Sequence, residues 1–117
     1  MIFKLNNAET QLGQRAHLIG APPQLGSWDP VKSKAMSATG TYPTWQNKEQ
    51  VVFLSEDDAK IEYKYFISSE DLDEAQWEDG ENRKLDLSSF FETGEVVVVE
   101  DQGFNLVGEQ PRIYAAK

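Results

Sequence analysis

Two tryptophans stand in surroundings that suit a binding surface better than a core. Trp28 lies in Gln24-Leu25-Gly26-Ser27-Trp28-Asp29-Pro30, and Trp77 in Gln76-Trp77-Glu78-Asp79-Gly80-Glu81-Asn82-Arg83. Both segments carry the Gly, Asp, Asn and Pro punctuation of loops and no apolar period. A large ring in a loop either anchors that loop to the core or faces a ligand. Two such rings with hydrogen-bonding neighbours suggest a stacking platform. An indole face pairs well with the flat, C–H-rich face of a sugar ring.

Catalytic readings find little support in the residue types. The single histidine, His17, sits in Arg15-Ala16-His17-Leu18-Ile19 without a nucleophile-elbow motif, and reads as an ordinary strand residue. There is no cysteine, no HExxH and no clustered histidine, so neither a transition-metal site nor thiolate chemistry is expected. No glycine pattern for phosphate or dinucleotide binding occurs, and no cofactor is expected. Glu70-Asp71-Leu72-Asp73-Glu74 lacks the glycine and the terminal glutamate spacing of an EF-hand and reads as a solvated acidic loop. The 20 acidic residues do not by count exclude the carboxylate pair of a small glycosidase, which would release product from an oligosaccharide. A small β domain with loop aromatics is more often a binding module.

The elements that must position these rings read as strands. Phe3 and Leu5 alternate with Ile2 and Lys4; Ala16 to Ile19 is an apolar run ending at Gly20; residues 50–54 and 96–99 are rich in β-branched side chains. In residues 60–67, Ile61, Tyr63, Tyr65 and Ile67 fall on one face and Lys60, Glu62, Lys64 and Phe66 on the other. No long helical apolar stripe is present. Turn signals at short intervals between short strands predict an all-β sandwich or open barrel. Trp45, opening an apolar strand, and Tyr63 are expected in the core. The stretch from Gly103 to Lys117 loses the strand pattern and reads as a tail or linker.

With 117 residues the chain is one domain long, and it carries a formal charge of −9. That charge disfavours nucleic acid and anionic membranes, which need clustered Lys and Arg, and says little against a neutral polymer. Met1 to Leu5 runs directly into Asn6 and Asn7 without the apolar segment of a signal peptide, and with no cysteine a cytoplasmic location is expected. A rival reading is an acidic β-sandwich that docks a basic protein; salt would weaken such docking but barely affect stacking on a neutral sugar.

Several segments together resemble a known family, the starch-binding domains of carbohydrate-binding module family 20. Leu18-Ile19-Gly20 followed by Gln24-Leu25-Gly26-Ser27-Trp28 resembles its first signature. Trp45 stands where the family opens a central strand with Trp. Ile61-Glu62-Tyr63-Lys64-Tyr65 resembles its Glu-Tyr-Lys-Phe strand, and Trp77-Glu78-Asp79-Gly80-Glu81-Asn82-Arg83 its Trp-Glu-x-x-x-Asn-Arg block. The resemblance runs from about Phe3 to Glu100 and implies an antiparallel, immunoglobulin-like β-sandwich, or open-sided distorted barrel, of about seven to eight strands. Residues 1–102 would form the domain and 103–117 the tail. It further implies non-catalytic binding of α-1,4-glucan: starch, glycogen or maltooligosaccharides.

Carried over by position, the main site would comprise Trp28 and Trp77 stacking on glucose rings, with Lys64 donating to hydroxyls and Asn82 donating and accepting. Glu78 would accept from a further hydroxyl, and Arg83 would orient the loop through a salt bridge. The family's second site uses two tyrosines; here Leu12 occupies one position and Tyr42 lies near the other, so one working site is expected. The resemblance also implies a covalently attached catalytic domain, such as a glucan phosphatase, a glucan dikinase, a phosphodiesterase or an amylase. Residues 97–104 resemble the exit from the module in the phosphodiesterase.

Overall fold

A computed structural model describes residues 1–47, 60–69, 75–86, 97–106 and 108–115. The strands in chain order are β1 (Ile2–Leu5), β2 (Gln14–Gly20), β3 (Lys34–Ser37), β4 (Trp45–Asn47), β5 (Lys60–Ser69), β6 (Gln76–Trp77), β7 (Arg83–Asp86), β8 (Val97–Asp101) and β9 (Arg112–Ala115). Two 3-10 turns, Pro23–Leu25 and Pro30–Lys32, fill the loop between β2 and β3. The expected strand at residues 50–54 and the acidic stretch 70–74 lie outside the described residues.

The strands pair in the order β6-β5-β2-β3-β4-β1-β8-β9, in a sheet that curls into an open half-barrel. All pairings are antiparallel except β1 with β8, which run parallel from Ile2 beside Val98 to Leu5 beside Asp101. The curl closes on the alternate side chains that strand periodicity aims inward. Phe3, Leu5, Leu18, Met36, Ile61, Tyr63, Tyr65, Leu85 and Val99 form one buried cluster, joined by Leu25 from the first 3-10 turn.

β5 organises the site because it is long enough to serve three neighbours. One edge pairs with β2 from Tyr63 to Ser69. The other pairs with β7 over Lys60 to Tyr63 and with β6 over Phe66 and Ile67. Between β6 and β7 the chain leaves the ladder for residues 78–82, beside Lys64 and Tyr65. That excursion carries the Trp77-to-Arg83 block.

The segment expected as a tail is part of the fold. Residues 103–106 turn, and β9 returns antiparallel to β8 with Val97 opposite Ala115 and Glu100 opposite Arg112. Ordering a strand against an existing edge satisfies backbone groups that would otherwise bond only to water. The pairing needs little apolar pattern of its own, which is why the sequence of β9 did not announce it.

Candidate functional site

The loop after β2 is fixed by backbone geometry. Gly20 has no room for a side chain: an added Cβ would lie 2.7 Å from the Glu62 carbonyl oxygen. Gly26 has φ of 95°, and a Cβ there would meet the Lys32 carbonyl at 2.7 Å. Ser27 and Trp28 follow with φ of 50° and 63°, a left-handed conformation that costs a non-glycine residue energy and must be held by its surroundings. The hold is visible. The Trp28 N–H donates to the Gly20 carbonyl at 2.9 Å, and the Asp29 carboxylate accepts from the Val31 N–H at 3.1 Å, capping the second 3-10 turn. The Trp28 ring is left half-buried, and its indole N–H has no partner among the described residues.

Trp77 is set by stacking. Its ring lies on Phe66 with centroids 5.0 Å apart and planes 25° apart; Phe66 in turn lies on His17 at 4.7 Å and 6°. The three residues are in register across β2, β5 and β6, so a ladder of rings crosses three strands on the outer face. Sequence alternation put Phe66 on the polar face, yet it is fully buried, covered by its two neighbours. His17 also lies in this ladder. Burial, followed by the nearby Arg15 charge, pushes its pKa down to about 4. Its Nε2 is buried with no hydrogen-bond partner among the described residues.

Beneath the loop, the inward side of β5 carries a buried polar network. The Arg83 guanidinium donates to both Glu78 oxygens and to Asp101 Oδ1, and the Tyr63 and Tyr65 hydroxyls donate to Asp101 Oδ2 at 2.9 and 2.7 Å. Burial works against the Arg83 charge, but its bonds to Glu78 and the Asp101 charge outweigh this and raise its pKa. Burial raises the Asp101 pKa, against the opposing pull of Arg83 and the two hydroxyls. Tyr63 and Tyr65 titrate well above the usual phenol range, first through burial and then through the Asp101 charge.

This network corrects one expectation. Glu78 is 2% exposed, and its oxygens accept from the Tyr65 N–H, Arg83 and the Asn105 N–H, so the carboxylate is spent inward and has no free face for a hydroxyl. Where the ladder is interrupted beside Tyr65, the Glu78 side chain accepts the strand N–H that no neighbouring strand takes. Lys64 is also more occupied than expected. Its ammonium donates to the Glu78 and Gly80 carbonyls at 2.9 and 2.8 Å, leaving one of its three protons unassigned. Arg83 braces the loop through the Glu78 pair, as the sequence suggested.

The remaining residues fall into place around these two loops. Trp28 is tied to Gly20, which faces Tyr63, and Trp77 faces Phe66, so the two attachment points lie about 10 Å apart along β5. Asn82 is half-buried, with no hydrogen-bond partner among the described residues, and helps line a cavity of about 200 Å3. Trp45 is 7% exposed and its indole N–H donates to the Ala8 carbonyl at 2.8 Å, which makes it a core residue. Tyr42 is 52% exposed at the rim of a separate depression, its hydroxyl tied to the Thr10 backbone, while Leu12 is fully exposed. Among the described residues no cluster of three His, Asp or Glu side chains could hold a metal ion.

The sequence model of the starch binding domain family, CBM_20, matches residues 1–97. The chain belongs to this family. CBM20 domains are non-catalytic carbohydrate-binding domains. This CBM20 domain is 36% identical over 86 residues to a cyclomaltodextrin glucanotransferase of Geobacillus stearothermophilus, a match covering 68% of the chain and 11% of that enzyme. It is 29% identical over 90 residues to a glucan 1,4-alpha-maltotetraohydrolase of Roseateles saccharophilus, covering 74% of the chain and 15% of that enzyme. The domain thus spans a small fraction of the relatives it matches. Its fold superposes on the family 20 module of the maltotetraose-forming amylase of Pseudomonas saccharophila with a TM-score of 0.64 at 25% identity, covering 86% of this chain and 96% of that one.

The Asp101 side of the network was missed by sequence reasoning, although a signal existed. In β8, Val97, Val99 and Asp101 share the inward face, and a charge at an inward position of a valine strand demands a partner.

Proposed function

We propose that this domain binds α-1,4-linked glucan at one site, with Trp28 and Trp77 stacking on glucose rings and Asn82 bonding to hydroxyls. The remaining proton of Lys64 donates beside them. Glu78 and Arg83 shape the loop without touching sugar. The observation that carries this reading is the contrast among the three tryptophans. Trp28 on its braced loop and Trp77 at the end of β6 are half-buried, with indole N–H groups that have no partner among the described residues, whereas Trp45 is buried with its N–H satisfied. Rings held still before a ligand arrives lose little freedom on binding. Membership of CBM20 and the likeness to amylases and glucanotransferases support α-glucan as the ligand and an attached catalytic domain as the partner that the domain brings to polysaccharide.

Titration with β-cyclodextrin, followed by tryptophan fluorescence and calorimetry, tests the reading. Quenching and saturable binding are expected, with roughly micromolar to millimolar affinity because a shallow surface buries little area. Cellulose oligomers should leave the fluorescence unchanged. A chain that neither responds to β-cyclodextrin nor is retarded on an amylopectin affinity gel would overturn it.

A further inference from the structure

The family match ends at residue 97, yet the loop that carries Asn82 is gripped by chain that follows it. Asn105 makes two reciprocal bonds to that loop. Its side-chain carbonyl accepts from the Asp79 N–H at 2.9 Å, and its own N–H donates to Glu78 Oε2 at 2.9 Å. Arg83 ties the same turn down from beneath, donating to the Gly103 carbonyl at 2.9 Å and to the Leu106 carbonyl. Lys64 holds the other side of residues 78–80 through the Glu78 and Gly80 carbonyls. The excursion between β6 and β7 is therefore clamped from β5 on one side and from the turn after β8 on the other.

The residue type fits the task. Asn105 has φ of 71°, a region that glycine, asparagine and aspartate tolerate best. A glycine would satisfy the turn equally well. Asparagine adds the carbonyl that captures Asp79. Trp77 does not need this clamp, since β6 pairing and the Phe66 ring already set it. Asn82 does: it lies beyond the turn, outside any strand, and shares its cavity with Glu109, Gln110 and Pro111 from the same C-terminal segment.

We propose that Asn105 is a positioning residue for glucan binding, acting through the Glu78-to-Asn82 loop, so that this chain's binding site depends on residues beyond the family boundary. The proposal rests on the glucan reading above. Asn105→Gly keeps the backbone conformation and removes only the side chain. It should weaken β-cyclodextrin binding about fivefold, the factor that one net hydrogen bond corresponds to, and lower the melting temperature by only about a few degrees. In the unliganded protein the Asp79 amide should exchange with solvent about tenfold faster than in wild type. A purely structural role would not distinguish backgrounds, so a double-mutant cycle decides: in Asn82→Ala protein the Asn105→Gly loss should disappear. Binding equal to wild type, or a loss undiminished in the Asn82→Ala background, overturns the proposal while glucan binding stands. Absence of binding by the wild-type chain sinks the glucan reading and the role of Asn105 with it.

Discussion

The two faces of β5 hold their aromatic rings by opposite means. On the inner face Tyr63 and Tyr65 are fixed through their hydroxyls, which end on Asp101 in a closed network with Arg83 and Glu78. On the outer face Phe66 is fixed by ring against ring, between His17 and Trp77, with no polar atom of its own. The inner arrangement is sealed and directional, so losing any member strands a charge or hydroxyl. The outer one is open-ended and stops at Trp77, which is half-buried.

The sharpest test of this contrast is to break the inner network. Glu78→Ala should destabilise the domain by about 3–5 kcal/mol, because it leaves the Arg83 charge buried with one partner fewer. Chemical denaturation reads this directly. A loss under about 1 kcal/mol, no more than an ordinary surface change gives, would mean that the network is not the rigid element described. Trp45→Ala should cost a similar ~3–5 kcal/mol as a large core truncation.

The outer stack is best broken with acid. The His17 pKa is about 4 in the folded chain against an ordinary 6.5. Below pH 6.5 the unfolded state takes up a proton that the folded state refuses until about pH 4. Stability should therefore fall as pH drops through this window, by about 1–2 kcal/mol from this residue once solvent screening is allowed for. Comparing thermal melts of wild type and His17→Phe between pH 7 and pH 4 isolates the effect, since other groups titrate in both proteins. Parallel curves would show that His17 protonates without penalty.

Smaller in energy but specific to binding, Trp77→Ala or Trp28→Ala should weaken β-cyclodextrin binding about tenfold or more, roughly 1.4 kcal/mol, with a minor stability loss for Trp28→Ala and a larger one for Trp77→Ala, which uncovers Phe66. The smallest effect expected is at Tyr42. Its hydroxyl is tied to Thr10, and the adjacent Leu12 offers no second ring. Tyr42→Ala should leave calorimetric stoichiometry at one to one. Two equivalents for the wild type, with one lost in Tyr42→Ala, would restore a second site.

Strong alternation made β5 legible in the sequence, and the loop punctuation around Trp28 and Trp77 set them apart from Trp45. Three things were hidden. Phe66 looked exposed by pattern, because a period of two cannot tell a solvated face from one covered by cross-strand rings. Glu78 looked available because its sequence neighbours are polar, whereas burial came from Arg83 and Asn105 meeting it in space. The strand β6 has two residues and β9 no clear apolar alternation, so both exist only because a partner edge is already there.

The parallel pairing of β1 with β8 also governs how the chain can fold. Ile2 must find Val98 before β8 and β9 can complete the half-barrel, so the first strand waits for nearly the last one. Contacts this distant in sequence put such domains among the slower folders, in the range of about milliseconds to seconds. On a ribosome, β1 would emerge long before its partner and remain without its β8 neighbour until the valines of β8 leave the exit tunnel.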